Sequence, residues 1–550
     1  MRPQQCIVSA VRSVRPVHVE SLEERRLCSV SAYLNNGNLV VAGDDNANAI
    51  VIQHTVGTTI VNGKSFLDVS IPKGVVVYPG LSPKNSSAAD SVQIRSSVKP
   101  VEVFAGTKSP LYDAALEVRI GENGRTDGVK QTVRVHGSGQ TRLVVDNNAA
   151  TVAANVTLDY LPTVKVSTIT GAAPATLMFD GVTFGSVDVR LGQGNDIVTV
   201  RNTSPAATNQ GHPVLMKIDA GRGVNVVKVL AKQAATSLQI NNTRGGYDAV
   251  VLGSAYLSRV QGAVHVGNTN GLSTIMLDDS SDTGSGQRFD LSTGKVTLLS
   301  AGYRTLDLTF DPSRISGLKV VGGDAAVTFS VQDTLHASSP GQIGITTLFG
   351  GAKPSEVYFE GTTGPAVWQP YAAYNSLNFG ATNHSTAGLK GDITCLNTLK
   401  SDSILISNGA ATTMQSVVID ARDSSSGQYL ATITGAAPGK IRYGVTTHVS
   451  LHTGSGNDIV RILGDTRFAV TKVNTGAGND VIWVGNAASN LNDLHGARLL
   501  LDGGDGHDRL YVIDTTAQKP ATYVNFVGYF NRFGTAPIYY SNFEGFTVLK

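Results

Sequence analysis

The chain has 550 residues, 60 of them Gly, with 41% hydrophobic, 6% aromatic and 16% charged residues. A formal net charge of +2, with no run of Lys or Arg longer than two, argues against a nucleic-acid groove or a patch for anionic membranes. Evenly spread apolar residues argue against disorder, three Cys (Cys6, Cys28, Cys395) against a disulfide framework, and the lack of any run of roughly 18–20 apolar residues against a membrane span.

Helical spacing is confined to VHVESLEERRLCS (17–29), within a first segment, 1–30, that stands apart from the rest. From there alternation dominates. NLVVAG (38–43), NAIVIQ (48–53), KGVVVY (73–78), QTVRVHG (131–137) and TRLVVD (141–146) read as strands punctuated by Gly, Asn, Asp and Ser. Residues 31–165 are strand-rich without registering against the repeats from 166 onward, so this N-terminal β region either continues the later architecture or forms a smaller β domain. The fold class is all-β.

Two modules come next, 166–360 and 401–550, separated by an insert at 361–400. The string ITGAAP opens at Ile169 and again at Ile433, an offset of 264 (433 − 169). Some twenty residues after each comes Gly-Asn-Asp, ending at Asp196 and Asp458, an offset of 262 (458 − 196). A third, partial echo, FGTAPIYYSNFEGFTVL (533–549), resembles AAPGKIRYGVTTHVSL (436–451). Within the modules the Gly-rich turns end at Asp196, Asn225, Asp248 and Ser273, then at Asp458, Asp480 and Asp508. Their steps run from 22 (480 − 458) to 29 (225 − 196), the length of one coil of a right-handed parallel β-helix built from about three short strands.

The turns themselves carry the chemistry. In LGQGNDIVTV (191–200), TGSGNDIVRI (453–462), NTGAGNDVIWVG (474–485) and DGGDGHDRLYV (502–512), the second and fourth residues after the Asp are apolar, the inward row of a strand. Stacked coils would superimpose the carboxylates about 4.8 Å apart, where like charges repel unless neutralised. Ca²⁺ neutralises them well, taking six to eight oxygens from carboxylates, amides and carbonyls. The candidate ligands are Asn457, Asp458, Asn479, Asp480, Asp502, Asp505 and Asp508, with Asn195 and Asp196 in the first module, where Asn225 and Ser273 replace the Asp. The same turn also serves as a plain structural corner, its Asx side chains bonding nearby backbone.

At these residues the chain resembles the hemolysin-type (RTX-like) calcium-binding repeats, of pattern Gly-Gly-x-Gly-x-Asp-x-apolar-x. GGDGHDRLY (503–511) matches it fully, and TGSGNDIVR and TGAGNDVIW match with Thr in first place. That family repeats every nine residues, whereas the copies here are isolated, so only the corner chemistry carries over. The longer context looks like the repeat-rich secreted proteins of planctomycete bacteria, whose leader (the LEPR-XLL domain) has the form Leu-Glu-x-Arg-x-Leu-Leu. LEERRLC (22–28) matches that form except for Cys28. The resemblance implies that 1–30 is an export or sorting leader and that the protein is extracellular or cell-surface.

No Gly-x-Ser-x-Gly elbow, His-Glu-x-x-His or Walker loop occurs, so the chain reads as a structural or adhesive solenoid more readily than as an enzyme. The alternative is a polysaccharide-binding or polysaccharide-degrading solenoid of the lyase or glycosidase kind, resting on fold analogy. Trp368, Tyr371 and Tyr374, with Phe379, in the insert are candidates to stack on sugar rings, or else form the inward face of a local coil. Expected partners are extracellular polysaccharide or other surface proteins.

Overall fold

A strand that alternates apolar and polar residues needs an apolar layer on one side only, and this chain supplies that layer to itself. The computed structural model describes residues 30–44, 47–80, 90–105, 116–137, 141–180, 184–205, 213–284, 286–336, 344–396, 402–421, 430–517 and 521–550. The expected leader motif, LEERRLC, lies outside the described residues. Over the described residues the chain winds as a flattened β-solenoid whose two sheets hold 23 strands each and pair mostly in parallel. Both sheets are open. One runs from the edge strand Ser31–Asn35 to Gly545–Leu549, the other from Lys64–Leu67 to Tyr523–Phe526.

Each coil gives one strand to each sheet. In the last coils His448–Gly454, Val470–Gly476 and Arg498–Asp502 stack in one sheet, and Ile459–Ile462, Val481–Val484 and Arg509–Ile513 in the other. The core lies between. Val460 and Ile462, Ile482 and Val484, Leu510 and Val512 are all buried and face Val449, Leu451, Val473, Leu499 and Leu501. The inward row read from the sequence is the observed one, because stacked strands in register put like residues at like depth.

The number of strands per coil differs from expectation: two, not three. The corner 477–480 is short, but the return path 485–497 is a long loop. Among the described residues successive return loops touch through single bridges, Lys232 to Val260 and Asp465 to Leu494, and Thr362 to Leu389 is a like bridge on the opposite edge, so no third sheet forms there.

The long repeat marks an excursion. Besides its N-terminal hairpin, Ser31–Asn35 with Asn38–Ala42, the first sheet has among the described residues two three-strand excursions in which the chain reverses direction, at Asn155–Leu161, Val166–Thr170 and Leu177–Asp180, and again at Ser416–Asp420, Ala431–Thr434 and Ile441–Tyr443. The two excursions start 261 residues apart (416 − 155), which accounts for the module length. ITGAAP sits at the turn after each middle strand. There Gly171 and Gly435 have φ near +80°, and a Cβ on either would lie 1.9 Å from a carbonyl oxygen, of Asn155 or Ser416. Thr126 and Thr386 donate their hydroxyls to the carbonyls of Ala172 and Ala436, so the two turns are held identically. The partial echo at 533–549 belongs to a similar excursion in the opposite sheet, Tyr523–Phe526, Tyr529–Arg532 and Ile538–Ser541. Gln287–Ser292, Lys295–Ser300 and Tyr303–Phe310 form another there. Excursions in alternate sheets add strands to each in turn, which keeps the two sheets equal in number.

The insert 361–400 contributes Ala366–Gln369 and Ser376–Phe379 to the same two sheets. Trp368 is fully buried against Phe329, with ring centroids 5.7 Å apart, and Phe379 stacks on Phe359 at 5.2 Å.

Candidate metal centre on the corner ridge

The Gly-rich turns stack into one ridge because Ile459, Val481 and Arg509, each directly after one of the three Asp residues, are in parallel register. Close stacking needs glycine. Gly476 and Gly504 both have φ +88°, and a Cβ on them would fall 1.9 Å and 1.8 Å from the carbonyl oxygens of Gly454 and Gly476 in the preceding coil.

Along this ridge the carboxylates form a ladder. Asp458 N–H donates to Asp480 Oδ1 at 2.7 Å, and Asp480 N–H to Asp508 Oδ1 at 2.7 Å. The ladder is closed at one end by Gln415 N–H on Asp458 Oδ1 (2.7 Å) and at the other by Asp508 N–H on Glu544 Oε2 (2.6 Å). One residue earlier, the asparagines bond in the opposite sense. Asn457 Oδ1 accepts from Asn479 N–H at 2.8 Å, and Asn479 Oδ1 from His507 N–H at 2.9 Å. Threonine in the first place of the motif adds a third rung, Thr453 Oγ1 to Thr475 O (2.9 Å) and Thr475 Oγ1 to Gly503 O (2.8 Å). Each corner is thus bonded to its neighbours in both directions.

The first module repeats the pattern. Asp196 Oδ1 accepts from Ala154 N–H (2.6 Å), Asn225 Oδ1 from Asp196 N–H (2.9 Å), Asp248 Oδ1 from Asn225 Nδ2 (2.9 Å) and Asn195 Oδ1 from Val224 N–H (2.9 Å). Asn225 fills a rung as well as Asp does, since the rung uses one oxygen.

The second oxygen is what sets the carboxylates apart. Oδ2 of Asp196, Asp248, Asp458, Asp480 and Asp508 is buried and has no hydrogen-bond partner. Burial accordingly drives these carboxyls up. Asp480 rises to about 6, mainly through burial, with Asp458 and Asp508 adding repulsion against the relief given by Asp458 N–H. Asp248 rises to about 7 for the same leading reason. Asp196, Asp458 and Asp508 also rise, burial first.

The other expected ligands are placed differently. Asn195, Asn457 and Asn479 have their amide oxygens on the neighbouring coil's N–H. Asp502 is half-buried and accepts from Asn542 Nδ2 at 2.7 Å, while Asp505 is exposed at the tip of its turn. Among the described residues no three His, Cys, Asp or Glu side chains converge as a ready-made metal cage. Of the insert aromatics, buried Trp368 presents no ring to a ligand, whereas Tyr371 and Tyr374 are 62% and 74% exposed.

Two features escaped the sequence. A ladder runs along the opposite corner too: Ser355 N–H on Asn375 Oδ1 (2.9 Å), and Asn375 N–H on Asp402 Oδ1 (3.0 Å). Asn375 and Asp402 stand directly before their strands without glycines, and only Ser355 follows a glycine pair, Gly350-Gly351. On the outward face Trp483 stacks on Tyr511 at 4.2 Å, both in the third place after an Asp.

No helix among the described residues is long and apolar enough to cross a membrane. No model of a known protein family and no curated protein matches the chain.

Proposed function

We propose that the chain is a structural or adhesive β-solenoid acting outside the cell or at its surface, with calcium held along the ridge of Asp458, Asp480 and Asp508. The calcium part is carried by one observation: three carboxylates on successive coils each keep one buried, unpartnered oxygen. An unpaired buried anion is costly, and a divalent cation shared between coils offsets that cost and bonds the coils together. The arrangement is a stack of donors rather than a cage, so the ion would draw on oxygens of more than one coil. The placement outside the cell rests on the leader resemblance.

The test is calcium titration of the full chain after chelation, read out as melting temperature. Calcium at about 1 mM should raise the melting temperature, in the range of extracellular sites. The triple variant Asp458→Asn, Asp480→Asn, Asp508→Asn should lose that rise while keeping its metal-free stability, because Asn keeps the rung acceptor. A wild-type chain indifferent to calcium would reduce the ridge to a corner.

A further inference from the structure

The same ridge changes character between the modules. At the residue between the two turn glycines, the second module has Ser455, Ala477 and Asp505, while the first has Gln193 and Arg222. Arg244 and Asn270 stand just before the glycines of the next two turns. Register stacks these corners, Val224 on Tyr247 and Tyr247 on Leu272, so that Gln193, Arg222, Thr243, Arg244 and Asn270 line one open groove of about 410 Å³.

The two guanidinium groups are oriented by backbone, not by carboxylates. Arg244 Nη1 donates to Asn148 O at 2.8 Å and Arg222 Nε to Arg244 O at 3.2 Å. Neither forms an ion pair among the described residues. On the adjacent sheet face, by contrast, Arg119, Arg142 and Arg190 are matched by Glu117, Asp146 and Asp188. The acid beside the groove, Asp219, is already engaged, accepting from the Thr243 hydroxyl and, at 3.1 Å, from Gly221 N–H. Asn270 Nδ2 donates to Thr243 O at 2.7 Å, which fixes the far wall. Two guanidinium groups, Arg222 exposed and Arg244 half-buried, therefore line the groove preoriented and without an ion pair among the described residues, on consecutive coils about 4.8 Å apart.

We infer that this groove binds the carboxylate or sulfate groups of an acidic polysaccharide. Guanidinium forks match planar or tetrahedral oxyanions, and the coil rise is close to the length of one sugar in an extended chain, so successive anionic groups meet successive arginines. No aromatic ring lines the groove, which removes both the sugar-stacking mode and the base-stacking platform of single-stranded nucleic acid. The groove works without the proposed calcium.

The experiment uses the full chain in excess chelator, which separates it from the metal. Polygalacturonate and chondroitin sulfate are the polymer probes, dextran the neutral control and inorganic sulfate the free-ion control. The wild type should bind the acidic polymers and not dextran, with affinity falling as salt rises. Arg222→Gln with Arg244→Gln should weaken binding about tenfold or more. Arg222→Lys with Arg244→Lys, which keeps charge but loses the fork, should fall between the two. Melting temperature read on each variant confirms the fold. Equal polymer binding by the Gln double variant with its fold intact, or dextran binding equal to polygalacturonate, would overturn the assignment. So would sulfate binding without polymer binding, which would leave a site for free anions only.

Discussion

Asp458 and Asp480 are joined by a 2.7 Å hydrogen bond from the backbone of one to the side chain of the other, and by a shared burden of buried charge. The first half of that relationship is structural and needs only an oxygen. The second half is electrostatic and needs a proton or a cation. Substitutions separate them.

Asp480→Ala removes the acceptor and leaves the Asp458 N–H buried and unpaired, a loss of about 1–3 kcal/mol. Asp480→Asn keeps the acceptor and removes the charge, so metal-free stability should hold or rise, as Asn225 in the first module shows the fit. Hydrogen exchange of the Asp458 amide is the direct readout: faster in the Ala variant, unchanged in the Asn variant. Equal protection in both would mean the rung contributes nothing.

Acidity should act on the same feature in a defined direction. Asp248 and Asp279 stand at about 7, and Asp402 and Asp465 at about 6, burial being the leading cause in each. An unfolded Asp titrates near 3.9. The native state therefore binds more protons between these values, and each group's contribution is fully present below about 4 and lost as pH rises to about 7. In chelator, melting temperature should rise as pH falls from 7.5 to about 5. Asp248→Asn should flatten the slope in proportion to the share of one group. A melting temperature that falls steadily over that interval would contradict the burial account.

Legibility in the sequence depends on which constraints repeat along it. The inward rows at Val460, Ile482 and Leu510 and the stacking of the Gly-Asn-Asp turns were visible because each coil must solve the same packing problem with like residues. The opposite ridge was not, because Asn375 and Asp402 do the same work there without a glycine signature. ITGAAP announced a repeat but not a reversal, since an antiparallel excursion such as Val166–Thr170 uses the same alternation as a parallel strand. The pairing of Arg222 with Arg244 depends on coil register and has no local signal at all.

Glycine substitutions test the stacking distance. Gly57 and Gly504 both have positive φ, but a Cβ on Gly57 meets nothing within 4 Å, whereas on Gly504 it lies 1.8 Å from the Gly476 carbonyl oxygen. Gly57→Ala should cost about 1–2 kcal/mol, the conformational strain alone. Gly504→Ala adds a backbone clash that only separation of the two corners relieves, so the loss should be clearly larger. In a solenoid each coil contacts only its neighbours. The damage should therefore appear as lost amide protection at Gly478, Asp480 and Arg509, whose N–H groups bond across this ridge, while the first module keeps its protection. Equal costs for the two variants would show that the corners are not in the contact described.

The buried lysine on the return path offers a test of opposite sign. Lys232 is fully buried, its Nζ donating to the carbonyls of Gln233 (3.2 Å) and Gln261, and burial lowers it to about 8. An unfolded Lys titrates near 10.4, so the native state gives up its proton first and the group's penalty is relieved as pH rises from about 8 to about 10. Lys232→Met removes that term. The difference in melting temperature between wild type and variant, measured at pH 7.5 and at pH 9.5, should shift in favour of wild type at the higher pH. The direction isolates this lysine, because every other titrating group is common to both chains. A difference that is the same at both values would place the amine in contact with water, not in the core.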